Sequence, residues 1–231
     1  ELKEVVKHRD ITRARREKND VPVVAIVGYT NAGKSTLLNH LTDAKVLEED
    51  KLFATLDPTT RVLELDGHQQ ILLTDTVGFI RKLPHHLIEA FKSTLEEAKY
   101  ADYIFHVVDA SNPQMDKQMH IVYETLDRLG VRNKKIVTLF NKMDQRTDDE
   151  PLQDFRADHI LMISAARNEG LNEIKELLQE MLREDKVYVE RVVPYAQAGM
   201  IQLVREKGEL VSEEYVPEGI AIKAYVPMEV Y

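Results

Sequence analysis

The sequence contains no cysteine, which excludes disulfide bonds and thiolate metal sites from this chain. It also lacks any apolar run near the roughly 18 residues of a membrane-spanning helix, and no signal-peptide pattern opens it. Basic residues are outnumbered, with 31 Lys and Arg against 40 Asp and Glu and a net charge of −9. That balance disfavours a general attraction to nucleic acid. We expect a cytoplasmic monomer without a membrane span.

The first 19 residues depart from this acidic balance, because they carry seven basic and four acidic side chains. They form either a solvated helix face with ion pairs or an arm that contacts RNA, and the sequence alone leaves both interpretations open. The chain starts at Glu1 rather than at a methionine and ends on the apolar pair Val230-Tyr231. We expect it to be a piece of a longer protein.

Buried-strand runs alternate with helical patterns from residue 21 onward, which predicts an α/β fold around a mainly parallel, six-stranded sheet. Asp66-Gly67 separates two of the strand runs and predicts a hairpin, so one antiparallel strand should lie at a sheet edge. The predicted strands are 23–27, 61–65, 70–74, 103–108, 135–140 and 159–163, and the predicted helices are 35–42, 84–99, 114–129 and 169–183.

The pattern changes near residue 186, where a second and smaller unit is expected. Its pattern predicts a strand at 187–193, a helix at 194–206 and strands at 209–215 and 220–226. We therefore expect a main domain over 20–185 and a small β-α-β-β, α+β domain over 186–231.

The segment Gly28–Ser35 follows the first strand run and precedes a helix, which is the context of a phosphate-binding loop. Its backbone N–H groups would converge on phosphate oxygens. Lys34 would reach the β- and γ-phosphates, and the Ser35 hydroxyl would bind Mg²⁺. The candidate phosphate-binding residues are Gly28, Tyr29, Thr30, Asn31, Ala32, Gly33, Lys34, Ser35 and Thr36.

Three later segments each follow a predicted strand and indicate which nucleotide and which metal ion the site binds. In Asp75-Thr76-Val77-Gly78, the acid would hold Mg²⁺ through water, and Gly78 would let a backbone N–H approach the γ-phosphate. In Asn141-Lys142-Met143-Asp144, the Asp144 carboxylate can accept two hydrogen bonds that guanine offers and adenine lacks. The Lys142 stem can lie over the base plane, and Asn141 can tie this loop to the phosphate loop.

The third segment is Ser164-Ala165-Ala166, from which the Ala165 N–H could donate to guanine O6. Because the carboxyl ends of neighbouring strands form the ligand crevice of an open α/β sheet, all four segments predict one guanine nucleotide site. A magnesium-binding threonine should come from the loop 43–60, which contains Thr55, Thr59 and Thr60.

Gly28–Ser35, Leu52–Arg61 and Asp75–Pro84 resemble the hallmark segments of the HflX family of translation-factor-related GTPases. The resemblance covers about 20–185 and implies a P-loop GTPase fold, hydrolysis of GTP and a requirement for Mg²⁺. It also implies a large-ribosomal-subunit partner that includes rRNA, and a role in ribosome splitting or recycling under stress. Residues 1–19 would then be the end of a helical linker that follows an N-terminal domain.

The resemblance also implies residue roles. Phe53-Ala54-Thr55-Leu56 is similar to the segment of Obg-type GTPases that carries the magnesium threonine, which favours Thr55. Lys34, Thr55 and Gly78 are then the candidate catalytic residues, and Ser35, Thr55 and Asp75 the candidate magnesium ligands.

Two positions suggest how hydrolysis is controlled. Phe79 stands where Ras-like enzymes have a glutamine that orients water, so the resemblance implies slow intrinsic hydrolysis that the ribosome stimulates. Asn31 stands where potassium-activated relatives use an asparagine to hold K⁺, and the alternative is an asparagine that only shapes the loop.

Two other functions fit a phosphate-binding loop. One is a signalling switch that acts on a protein effector, which the lack of a lipidation signal in this chain disfavours. The other is an ATPase or phosphotransferase, which the Asn141–Asp144 segment disfavours.

Overall fold

The computed structural model describes residues 21–42, 59–76, 78, 97–184, 186–228 and 230–231. Its strands and helices, in chain order, are β1 Val23–Gly28, α1 Lys34–Leu41, β2 Thr59–Glu64, β3 Gln70–Asp75, β4 Tyr103–Asp109, α2 Met115–Arg128, β5 Lys135–Asn141, β6 His159–Met162, α3 Leu171–Arg183, β7 Lys186–Val193, α4 Gly199–Lys207, β8 Glu209–Val216 and β9 Gly219–Pro227. A helical turn over 97–100 is the part of the predicted helix 84–99 that falls within the described residues.

One six-stranded sheet has the order β2-β3-β1-β4-β5-β6. The pairs β1–β3, β1–β4, β4–β5 and β5–β6 are parallel, and β2 supplies the one antiparallel strand at the edge. The predicted fold class, a mainly parallel α/β sheet with a small additional unit, is therefore confirmed. Because β1, β3, β4 and β5 run in the same direction, the segments that follow them begin at one edge of the sheet.

The centre of this sheet is apolar because its strands are rich in Val, Ile, Leu and Phe and are covered on both faces. Val24, Ile26, Phe105 and Leu139 are completely buried. On one face, Ala25, Val27 and Ile104 pack with Val122 and Leu126 of the amphipathic helix α2. This packing holds β1 and β4 against α2.

The hairpin between β2 and β3 has a longer turn than the sequence predicts. Leu65 N–H donates to Gln69 O at 2.9 Å, and Asp66–His68 form a short 3₁₀ turn with Gly67 at φ 72°. Leu65 and Gln69 are both buried. The connection therefore has five residues, 65–69, whereas the predicted strands leave four, 66–69.

The described residues divide into two compact units. One contains Val23–Leu63 and Leu72–Glu176, and the other contains Glu64–Ile71 and Leu177–Tyr231. The predicted domain boundary at residue 185 remains an expectation. Within the described residues, no helix combines the length and the apolar character that a membrane crossing requires.

The second unit contains the antiparallel sheet β7-β9-β8 with helix α4. Its core is formed by alternate residues of the strands and by two helix residues: Val193, Ile201, Val204, Ile220, Ile222, Ala224 and Val226. The continuous helix predicted at 194–206 is wrong. A 3₁₀ turn at Tyr195–Gln197 precedes the helix Gly199–Lys207, since Pro194 has an extended ψ of 145° and Gly199 is a poor helix former.

Candidate functional site

The loop between β1 and α1 has the backbone shape of a phosphate cradle. Asn31 and Gly33 have left-handed φ angles of 59° and 95°, and Ala32 N–H donates to Tyr29 O at 3.2 Å. A side chain on Gly33 would meet Asn141 Nδ2 at 2.3 Å, so glycine is required there for space as well as conformation. Helix α1 begins directly at Lys34, which aims its free N–H groups at this loop.

Lys34 and Ser35, the first residues of α1, meet Asp75 at the end of β3. Ser35 Oγ donates to Asp75 Oδ2 at 2.7 Å, and Lys34 Nζ donates to Tyr29 O at 3.2 Å. Burial lowers the pKa of the Lys34 ammonium, and the Asp75 carboxylate offsets part of this effect. A bound phosphate group would bring further negative charge to this buried ammonium.

Gly78 lies against the phosphate loop. A Cβ at this position would be 2.8 Å from Thr30 Cα and 3.0 Å from Lys34 Nζ. The segment that begins at Asp75 is fixed at its start by Thr76, whose hydroxyl and N–H both donate to Ile26 O, at 2.7 and 3.2 Å. The structure therefore brings Gly78 to the ammonium of Lys34, with no side chain between them.

Asn141, the last residue of β5, joins the phosphate loop to the loop after β6. Its Nδ2 donates to Ala32 O at 2.9 Å, and its Oδ1 accepts from Ala165 N–H at 2.9 Å. The residue is buried, so both hydrogen bonds are shielded from water.

The Ala165 N–H, predicted as a donor to guanine O6, donates to Asn141 Oδ1 instead. Its role towards guanine therefore remains a prediction. The exposed residue Ala166 follows directly.

Asp144 is held close to the Ser164–Ala166 segment. Ser164 Oγ donates to Asp144 Oδ1 at 2.6 Å, and Arg167 Nε lies 3.6 Å from Asp144 Oδ2. The Asp144 side chain is only 10% exposed, so its carboxylate has few water partners. A ligand that offers two donors on one edge would complete the hydrogen bonding of this carboxylate.

Two contacts at this edge were not anticipated from the sequence. Lys142 Nζ donates to Asp109 Oδ2 at 2.8 Å, across the ends of β5 and β4, and Arg167 lies beside Asp144. The available signals were weak: Asp109 is a polar residue at the end of an apolar strand, and Arg167 directly follows Ser164-Ala165-Ala166.

The donor set at Ser35 and Asp75 fits Mg²⁺. Their oxygens lie 2.7 Å apart, and Mg²⁺ takes oxygen ligands, with few from protein and the others from water and phosphate. Across the described part of the chain, no group of three or more His, Asp or Glu side chains is arranged to hold a metal ion.

Several predicted residues lie outside the described part of the chain or show other contacts. Thr55 and Phe79 lie outside it. Thr59 begins β2, and the Thr60 hydroxyl lies 3.0 Å from that of Thr74 in the neighbouring strand. Tyr29, Thr30 and Thr36 are partly exposed along the phosphate loop and α1, and Gly28 ends β1.

Comparison with known families agrees with this arrangement. The family described as "50S ribosome-binding GTPase" matches residues 23–142, which include the phosphate loop and the Asn141-Lys142 pair. The chain belongs to this family.

Individual relatives indicate which branch of this family the chain resembles. The GTPase HflX of Lacrimispora saccharolytica is 63% identical over 231 residues, which is 100% of this chain and 55% of that protein. The GTPase HflX of Caldanaerobacter subterraneus is 46% identical over 229 residues, covering 99% of this chain and 53% of that protein. The predicted HflX relationship and the prediction of a GTPase are confirmed. The chain spans about half the length of these relatives.

A solved structure supports the fold. The GTP-binding protein of Sulfolobus solfataricus in complex with GDP aligns with a TM-score of 0.57 and 26% identity, over 78% of this chain and 60% of that chain. That protein carries GDP, and its fold is the one described above.

Proposed function

We propose that the edge of the six-stranded sheet binds GTP, with the phosphates at Gly28–Thr36 and the guanine between Lys142 and Asp144. The observation that carries this proposal is the Asn141 side chain, which joins Ala32 of the phosphate loop to Ala165 of the base loop. One asparagine thus holds both halves of a nucleotide site together. Ser164 and Arg167 orient the Asp144 carboxylate towards the Watson–Crick edge of guanine.

Most of the roles at the phosphate end follow from the positions of four residues, which are Lys34, Ser35, Asp75 and Gly78. The Lys34 ammonium balances charge on the β- and γ-phosphates, and the Gly78 N–H donates to the γ-phosphate. Ser35, Thr55 and Asp75 hold Mg²⁺, which when bound neutralises phosphate charge. The Ser35–Asp75 contact and the approach of Gly78 to Lys34 support these assignments, except that of Thr55, which rests on the family resemblance.

We further propose that this chain is the GTPase part of a protein that binds the large ribosomal subunit and acts in ribosome splitting or recycling under stress. The family description and the HflX relatives support this partner. Such a partner places the protein in the cytoplasm, where it acts as a monomer. Hydrolysis is slow without the ribosome because Phe79, unlike a glutamine, has no group that orients water.

The test is GTP turnover by the full-length protein, with and without purified large subunits. We expect turnover on the order of 10⁻⁴ s⁻¹ for the protein alone and a marked increase with subunits. Equal rates would contradict the ribosomal partner and favour a protein effector, while the nucleotide site would stand. Rapid turnover without subunits, unchanged by Phe79→Gln, would contradict the role of Phe79.

Asn31 gives the proposal a separate test. Its φ of 59° already suits the left-handed turn that asparagine tolerates. If its amide also holds K⁺ beside the phosphates, turnover in K⁺ buffer exceeds turnover in Na⁺ buffer, and Asn31→Gly removes the difference. Equal rates in the two buffers would mean that Asn31 shapes the turn and does not hold K⁺.

A further inference from the structure

The contact between Asp109 and Lys142 joins two neighbouring strand ends. Lys142 Nζ lies 2.8 Å from Asp109 Oδ2, and the two side chains are 21% and 13% exposed. The other carboxylate oxygen, Oδ1, accepts from Ser111 N–H at 3.1 Å and from Ser111 Oγ at 2.6 Å. The carboxylate is therefore anchored by its own loop, independently of the lysine that it binds.

The backbone around this contact is also constrained. Asp109 pairs with Asn141 in the parallel register of β4 and β5, and Ala110 N–H donates to Asn141 O at 2.9 Å. Directly after Asn141, Lys142 takes a left-handed φ of 64°. This sharp turn starts the Lys142 side chain in a fixed direction, and Asp109 binds its far end. The four-carbon stem is thus held at both ends.

A lysine stem held in this way differs from an ordinary surface lysine. Free lysine side chains sample many rotamers, and ordering them on ligand binding costs affinity. Lys142 lies between Asn141 and Asp144, the residues that position the base loop and read the base. A stem fixed here presents a preformed apolar wall for an aromatic ring.

We propose that Asp109 is a positioning residue for the nucleotide site, which holds Lys142 so that its stem covers one face of the guanine ring. This inference rests on the proposed placement of guanine at Asn141–Asp144. Asp109 acts through Lys142 and touches no part of the nucleotide. Its effect is on the affinity for any purine base at this loop, whereas the choice of guanine belongs to Asp144.

The experiment measures binding of GDP and of IDP, which lacks the exocyclic amine, to the 231-residue chain. The variants are Asp109→Ala, Asp109→Asn, Lys142→Ala and the Asp109→Ala/Lys142→Ala double variant. The matched control is Glu124→Ala, which removes another carboxylate from an ion pair, with Arg128 at 2.6 Å on α2. Urea unfolding without nucleotide is recorded for every variant.

We expect Asp109→Ala to weaken GDP binding about tenfold, the scale of one lost hydrogen bond between charged groups. The GDP to IDP preference stays unchanged, because Asp144 is intact. Asp109→Asn, which keeps an acceptor oxygen, loses less affinity. The double variant binds GDP no more weakly than Lys142→Ala alone, and Glu124→Ala binds as the unmodified chain does.

Two results would overturn the inference. One is a loss of unfolding free energy in Asp109→Ala with unchanged GDP affinity, which would show a purely structural ion pair. The other is full additivity of the two single variants in GDP affinity. If guanine does not bind at Asn141–Asp144, the result is distinguishable from both of these. Lys142→Ala and Asp144→Asn would then also bind GDP as the unmodified chain does.

Discussion

Asn141 uses one buried amide to satisfy two backbone groups from different loops. Ala32 O and Ala165 N–H are both buried, so neither can turn to water if the amide is removed. The residue is thus needed for the shape of the site before any ligand binds.

We expect Asn141→Ala to lower the free energy of unfolding by about 1–3 kcal/mol, the cost of leaving buried polar groups without partners. GDP affinity also falls, because the two loops are no longer joined. Urea unfolding and GDP titration measure the two effects. Asn112→Ala is a suitable control, because the Asn112 side chain accepts a hydrogen bond from Gln114 N–H in an exposed turn. An Asn141→Ala variant as stable as this control would contradict the bridging role.

At this scale the sequence predicted which residues lie together better than it predicted their contacts. The residue types and their places after strands predicted that Lys34, Asn141 and Asp144 lie at one edge of the sheet, where the structure has them. The contact between Asp109 and Lys142 depends on the exact β4–β5 register and on the left-handed turn at Lys142. Neither of these leaves a recognisable pattern in the sequence.

Between α3 and β8, within the second unit, a buried ion pair joins two elements. Arg183 donates to both oxygens of Glu209, at 2.8 and 2.6 Å, and the Glu209 side chain is only 3% exposed. The guanidinium also lies 4.8 Å from the centre of the Tyr225 ring. Removing the arginine would leave a buried carboxylate without its cation.

We expect Arg183→Ala to lower the free energy of unfolding by about 3 kcal/mol, the lower end for breaking a buried pair, because the arginine itself is partly exposed. Arg183→Lys loses less, since it keeps the charge but not the two-pronged hydrogen bonding. Lys223→Ala serves as the control, because Lys223 and Glu190 form an exposed pair that contributes at most about 1 kcal/mol. Equal losses in Arg183→Ala and Lys223→Ala would contradict a stabilising role for burial of this pair.

A second polar cluster lies between α2 and the sheet. Asp154 Oδ2 accepts from Tyr123 OH and Thr138 Oγ1, both at 2.6 Å, and lies 3.8 Å from Nδ1 of the buried His106. Burial lowers the pKa of His106, and Asp154 opposes only part of this effect. Burial alone would raise the pKa of Asp154, but its contacts with His106, Thr138 and Tyr123 outweigh burial and lower it.

This cluster predicts a loss of stability in acid. Unfolded histidine binds a proton near pH 6.5, whereas His106 in the folded chain resists protonation. The free energy of unfolding therefore falls as pH drops below about 6.5, by up to about 1.4 kcal/mol per pH unit from this residue. The contribution of Asp154 is present above its unfolded pKa and is lost only in stronger acid, below about pH 4.

Urea unfolding between pH 7.5 and 5.5 measures the effect of His106. His106→Gln should flatten the pH dependence, and His120→Gln, which replaces an exposed histidine on α2, is the control. The same pH dependence in His106→Gln and in the unmodified chain would exclude His106 as its source.

At the scale of elements, apolar runs predicted every described strand to within two residues at its start and end. The strands of the large sheet are nearly continuous Val, Ile and Leu runs, and burial on both faces demands this pattern. The helix at 194–206 was predicted less well. The residue at which this helix starts depends on the backbone conformation at Pro194 and Gly199. The spacing of apolar residues does not indicate that conformation.

Across the whole molecule, the family membership and the geometry of the sheet edge agree on a guanine nucleotide. The comparison proteins carry the GTPase name, and the sheet edge places Asp144 beside Ser164 and Arg167. The proposed ribosome stimulation concerns the longer protein, whereas the proposed base recognition can be tested on this chain.

Selection of guanine by Asp144 underlies the proposed function of this sheet edge. Competition for a fluorescent GDP analogue by GDP, ADP and XDP, on the unmodified chain and on Asp144→Asn, measures it. We expect GDP to outcompete ADP by about 10⁴ or more, as in sites that pair a polar ligand edge. Asp144→Asn should weaken GDP and improve XDP, because an amide can donate to the oxygen that replaces the guanine amine. Equal competition by GDP and ADP, or an unchanged preference in Asp144→Asn, would contradict selection of guanine by Asp144.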